Sequence, residues 1–235
     1  MLVVRSLAFV ALFYLWSLIV CLAMTPLFVF PRRWVMRGLD IYSRGISLLL
    51  AAVCDIRVER RGAQHMPTGA AVMACKHLCM FDIFGQFQWL PDFCFVMKKE
   101  LVRVPYLGWY GLKAGMIVVD RGGQATALKK LVRDAVAGLQ DGRQVVIFPE
   151  GTRGTPGVAG DYKPGVAALY RELGLPVYPV ATNSGVHWPA HGFLRRPGTI
   201  VFEYLEPIPP GLKRAEFMRT LEERIEAASN RLLEL

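Results

Sequence analysis

With 235 residues, 53% of them hydrophobic, the chain is long and apolar enough to bury one domain core, which excludes a disordered or low-complexity chain. The net charge is +9, and the whole excess lies within residues 1–135. A basic excess placed this way implies an anionic partner on that side: a lipid surface, a phosphorylated ligand or nucleic acid. The cysteines, at positions 21, 54, 75, 79 and 94, are odd in number and include no CxxC pair, so no disulfide framework is expected. Cys75, His77 and Cys79 alternate, but no second Cys/His pair lies near enough to complete a tetrahedral zinc set, and no metal is expected.

Positions 6–31 contain no charged residue. As a helix, about 24 of them would measure about 36 Å, enough to cross a hydrocarbon core with some tilt. A cleaved signal peptide fits less well, because the run ends in Phe28-Val29-Phe30-Pro31 and not in small residues. Arg32, Arg33, Arg37 and Arg44 follow the run and only Arg5 precedes it, so the charge bias puts the following domain on the cytoplasmic side of an inner membrane. A second apolar stretch, Ile46 to Val53, leaves open a helical hairpin lying in one leaflet. The expected division is therefore an anchor over residues 1–53 and a catalytic domain over 54–235.

Beyond the anchor the pattern alternates short strands with helices. Cys54 to Glu59 alternates polar and apolar residues, as a half-exposed strand does. Continuous apolar runs predict buried strands at Val72–Cys75, Phe93–Met97, Met116–Val119, Val145–Phe148, Val177–Ala181 and Ile200–Leu205. Leu128, Leu131, Val132, Ala135, Val136 and Leu139 recur at helical spacing, with Gly142 just past the end. A helix should begin at Pro164 and end at Gly174, and Phe217, Leu221, Ile225, Ala228 and Leu232 mark one face of a terminal packing helix. Neither a repeat nor a long linker divides the chain, so a single α/β domain on an N-terminal anchor is expected.

Three strand ends carry chemistry. His77 and Asp82 are five positions apart, and on one regular helix they would diverge by roughly 140°. They meet only if His77 sits in the turn and Asp82 on the helix; Asp82 can then hold one imidazole nitrogen and leave the other as a base. Phe148-Pro149-Glu150-Gly151-Thr152-Arg153 runs from a strand into a turn that offers backbone N–H groups and an arginine to an anion. Arg121 follows the strand of Gly115 to Asp120; Lys98 and Lys99, beyond these three ends, either add to the rim or form a solvated basic face. If these ends converge, they form a cationic pocket beside a base.

In these blocks the chain resembles the glycerolipid acyltransferase family, and within it the bacterial 1-acylglycerol-3-phosphate acyltransferases. His77 and Asp82 match its HxxxxD motif, Gly115 to Arg121 its second block, Phe148 to Arg153 its FPEGTR block and Leu175 to Ala181 its fourth. Lys99-Glu100-Leu101 and Pro105 to Trp109 match the segment between the first two, so the likeness covers about residues 55–210. Cys79, Val118-Val119, Lys76 and Gly154 depart from it at places where serine, Phe-Ile, asparagine and serine are frequent.

The resemblance implies a single mixed-sheet α/β acyltransferase domain flanked by helices. It implies transfer of a fatty acyl group from a thioester donor, acyl-CoA or acyl-acyl-carrier-protein, to the sn-2 hydroxyl of 1-acylglycerol 3-phosphate, giving phosphatidic acid. It makes His77 and Asp82 catalytic, without a covalent acyl-enzyme, and gives Arg121, Glu150, Gly151, Thr152 and Arg153 to the acceptor's phosphate site, Glu150 by holding an arginine or the loop. Expected partners are a lysophospholipid, the acyl donor and anionic membrane lipids, with no bound cofactor. Other acceptors, such as lyso-ornithine lipid or glycerol 3-phosphate, and a non-catalytic lipid-binding role remain as alternatives. Nucleic acid does not, because the charge clusters around the apolar run and no nucleic-acid motif is present.

Overall fold

The computed structural model describes residues 1–90, 92–120, 122 and 124–234. Helices α1 (Leu2–Met24) and α2 (Arg32–Cys54) form an antiparallel hairpin. Gly45 lets them close up, since a Cβ there would stand 2.3 Å from the Trp16 ring. Trp16 Nε1 donates to the Tyr42 carbonyl at 3.0 Å and Arg5 Nε to the Val53 carbonyl at 2.6 Å. Asp55, in the left-handed conformation at φ 56°, closes α2 by donating its N–H to Ala51 and Leu50.

Seven strands follow: β1 (Ile56–Arg61), β2 (Ala71–Cys75), β3 (Phe93–Lys98), β4 (Ile117–Val119), β5 (Gln144–Ile147), β6 (Val177–Thr182) and β7 (Gly198–Tyr204). All seven were legible as apolar or alternating runs, although β1 starts two residues late because α2 continues through Cys54. They form one mixed sheet in the order β1-β7-β6-β2-β5-β3-β4, parallel at every junction except β6 with β7. The carboxyl ends of β2, β3, β4, β5 and β6 therefore share one edge, the place where open α/β sheets bind ligands.

Alternation along the central strands divides the core in two. Val72, Ala74, Val145 and Ile147 pack under α5 (Gln124–Gln140), α6 (Pro164–Leu173) and α8 (Arg214–Arg231). Met73, Cys75, Phe93, Phe95 and Val146 pack under α1, α2, α3 (Phe81–Gln86) and α4 (Leu107–Lys113). A last short helix, α7 (Ser184–His187), follows β6.

The N-terminal hairpin shares this second core. Phe9 and Phe13 of α1 meet the Trp188 ring edge-on, with centroids 5.3 and 5.7 Å apart, and the Ser6 hydroxyl accepts the Arg195 N–H at 2.9 Å. Arg195 in turn lies 4.3 Å from the Trp188 ring. The opposite face of α1 exposes Val4, Leu7, Ala11, Leu15, Leu18 and Leu22 at helical spacing. Of the four arginines after the run, Arg32 is engaged by Asp92 and Asp141 at 2.9 and 3.2 Å and Arg44 by Asp40 at 2.7 Å. Among the described residues Arg33 and Arg37 have no acidic partner.

Candidate active site

β2 ends at Cys75, the chain turns through His77, and α3 begins at Phe81, so His77 lies in the turn and Asp82 in the first turn of the helix. The His77 Nδ1 stands 3.1 Å from Asp82 Oδ2. The same oxygen accepts the N–H of Leu78 at 2.6 Å and of Cys79 at 2.7 Å, and Oδ1 accepts the Ser184 hydroxyl. A carboxyl group this deeply buried needs its lone pairs filled, and these donors fill them while fixing its plane. The fixed carboxyl then orients the imidazole through Nδ1, an arrangement in which Nε2 is outside the contact and able to exchange a proton.

Phe148, at the end of β5, lies flat against the His77 ring with centroids 4.1 Å apart, and Phe95 stacks on Phe148 at 5.5 Å. This apolar shelf confines the imidazole to one plane. Cys79 is fully buried, and burial pushes its thiol well above the ordinary range. It is a neutral group packed behind the motif and lacks the anionic character of a nucleophile.

The turn after Phe148 separates the residues expected at a phosphate. Thr152 and Arg153 are exposed, and Arg153 reaches the Ala190 carbonyl at 3.2 Å. Gly151, at φ 67°, gives its N–H to the Phe148 carbonyl at 3.0 Å, so it supplies the turn and has no free donor for an anion. Glu150 is buried, with burial raising its carboxyl above the usual range. Of the two roles expected for it, holding an arginine or holding the loop, the structure shows the second: Lys76 stands 2.7 Å from Oε1, while Oε2 accepts the His77 N–H at 3.1 Å. Glu150 thus supports the loop, and the Gly151 N–H is used in its turn. Lys99 pairs with Asp120 at 2.9 Å on the same sheet edge; Arg121 lies outside the described residues.

Residues 57–183, more than half of the chain, match the Acyltransferase family. The chain belongs to the acyltransferase family. A 1-acyl-sn-glycerol-3-phosphate acyltransferase of Pseudomonas aeruginosa is 38% identical over 152 residues, covering 65% of this chain and 59% of its own length. One from Limnanthes alba is 29% identical over 196 residues, covering 82% and 67%. The alpha enzyme of that name from Mus musculus is 32% identical over 155 residues, covering 63% and 54%. The match thus spans about three fifths of the bacterial relative. The crystal structure of the 1-acyl-sn-glycerophosphate acyltransferase from Thermotoga maritima has the same fold, with a TM-score of 0.80 at 21% identity over 99% of this chain and 98% of that one.

Within this member of the family, Ser184 and Phe148 are partners of the HxxxxD pair that the sequence does not mark. Ser184 follows β6, and only the strand order shows that β6 lies beside β2. Phe148 was visible as the first residue of its block, but its stacking on His77 depends on the register that pairs Ala74 with Ile147.

Proposed function

We propose that this chain is a membrane-associated enzyme that transfers a fatty acyl group from a thioester donor, acyl-CoA or acyl carrier protein, to the sn-2 hydroxyl of 1-acylglycerol 3-phosphate. The observation that carries the reading is the His77 Nδ1–Asp82 contact, inside a carboxyl group held by three further donors. Nε2 of His77 takes the proton of the acceptor hydroxyl as its oxygen attacks the thioester carbonyl. Collapse of the tetrahedral adduct expels the donor thiolate, which recovers that proton. Asp82 balances the imidazolium between these steps. Thr152 and Arg153 receive the acceptor's phosphate, with Arg153 contributing a charge-assisted contact. The named relatives from P. aeruginosa and mouse support this acceptor.

The anchor supports a lipid acceptor. Leu2–Val29 is long and apolar enough to cross a membrane, and the outward face of α1 is apolar along its length. Its inward face is packed on the domain, which favours a hairpin seated in one leaflet of the inner membrane on the cytoplasmic side. The reading is tested by incubating purified protein with a panel of lysolipids, glycerol 3-phosphate and both donor types, and identifying products by mass. Phosphatidic acid is the expected product. Acylation of a different acceptor would move the assignment within the family, and no acyl transfer to any acceptor would overturn it.

A further inference from the structure

The turn after β2 carries His77 beside α3, and one residue earlier it carries a buried lysine that reaches to the other face of the sheet, toward α8. Lys76 is only 2% exposed. Its Nζ stands 2.7 Å from Glu150 Oε1, 2.7 and 2.9 Å from the two carboxyl oxygens of Glu226 and 3.4 Å from the Val158 carbonyl. Glu226 projects from α8, and its Oε1 accepts the Tyr162 hydroxyl at 3.0 Å. One ammonium therefore ties the terminal helix to Glu150, whose other oxygen accepts the N–H of His77. The His77 carbonyl is held too, by the Gly154 N–H at 2.7 Å. The peptide units on both sides of the imidazole are fastened to the Glu150 loop, and that loop is fastened through Lys76 to α8.

We propose that Lys76 is a positioning residue of the acyl transfer, holding Glu150 and held by Glu226 so that the backbone carrying His77 keeps its place against the reacting atoms. The proposal rests on His77 being the base. Two carboxyl groups share this one cation, so losing it leaves buried negative charge uncompensated. They must then separate or take up a proton; separation moves Glu150 away from the His77 N–H, and protonation weakens that bond by removing the charge on its acceptor. Glu226 is 12% exposed in its side chain, against 2% for Glu150, so it is the partner better able to find water when the lysine is gone. The strain therefore falls on the loop beside His77. A displacement of about 1 Å in a reacting group costs on the order of 100-fold in rate.

The test is steady-state kinetics on full-length Lys76→Met and Glu226→Gln in lipid vesicles, normalised to folded protein, with wild type as control. Lys76→Met should lose roughly 10–100-fold in kcat, with the KM values of acceptor and donor within about threefold of wild type. Glu226→Gln, which leaves the Lys76–Glu150 pair, should show a smaller loss in the same parameter. A purely structural lysine would lower the thermal midpoint and leave kcat per folded molecule unchanged, and that result overturns the proposal. A rise confined to acceptor KM overturns it as well, because Lys76 would then act in substrate binding. If Lys76→Met does not fold, wild-type kcat in Glu226→Gln is the overturning result. A wild type that acylates nothing is a failure of the proposed function, and the control separates the two.

Discussion

The imidazole of His77 and the thiol of Cys79 lie two positions apart in one turn, and their surroundings separate them chemically. His77 is partly open and oriented by Asp82, whereas Cys79 is sealed and its pKa is raised by burial and by the neighbouring carboxyl group. A raised thiol pKa means that the neutral form dominates at pH 8, while alkylation and acyl attack both need the thiolate. Iodoacetamide at that pH should leave Cys79 unmodified, as peptide mass mapping would show, and turnover unchanged. Inactivation in step with Cys79 alkylation would point to an acyl-enzyme. His77→Ala should remain folded and lose about 10²–10⁴-fold in turnover. Arg153 gives a different signature because it is exposed and bonds the Ala190 carbonyl, with no hydrogen bond to His77 or Asp82 among the described residues. Arg153→Ala should raise acceptor KM by about 10–150-fold, the equivalent of roughly 1.5–3 kcal/mol for a charge-assisted contact. A rise in donor KM alone would place this arginine at the coenzyme or carrier instead.

At the scale of the element, α1 shows why part of the fold could not be read from the sequence. The strands stood out because parallel strands buried on both faces are continuous apolar runs bounded by turns. The HxxxxD pair could be placed across a turn and a helix by angle alone. In α1, however, the inward residues Phe9, Phe13 and Val20 and the outward residues Leu7, Leu15 and Leu18 are all apolar, so no periodicity marks the domain side. A helix apolar all round gives no direction. Lys76 stood out only as a departure from the family, because its partner Glu226 lies 150 positions away on another element. The two faces of α1 should nonetheless behave differently. Leu15→Glu with Leu18→Glu changes exposed positions, so it should leave the thermal midpoint within a few degrees and reduce the fraction sedimenting with vesicles severalfold. Phe9→Ala empties a packed site against Trp188 and should cost about 3–5 kcal/mol of stability. Equal stability losses in the two variants would mean that the outward face is covered by protein.

At the scale of the whole molecule, the apolar surface is gathered on the side of the sheet that carries His77. The outward stripe of α1 continues into Val29, Phe30 and Trp34 at the hairpin turn and Leu107, Trp109 and Leu112 of α4, all of them exposed. Phe28 stacks on Tyr110 with centroids 4.7 Å apart, and Tyr110 donates to the Cys21 carbonyl at 2.8 Å, which fixes α4 beside the end of α1. If the proposed function holds, a lysolipid partitioned into the leaflet that seats this surface would meet the sheet edge that carries His77 without leaving the bilayer. The same packing bears on the proposed topology of the chain start. Arg5 and Ser6 are bonded to Val53 and Arg195, so the first residues lie on the domain. A spanning helix would carry them about 30 Å away, to the far side of the hydrocarbon core. A protease-cleavable tag fused to Met1 should therefore be cut in inside-out membrane vesicles, together with exposed loops of the domain, and be protected in right-side-out spheroplasts. Cleavage in spheroplasts with the domain protected would require α1 to detach from Trp188 and cross the membrane, and the hairpin seated in one leaflet would have to be abandoned.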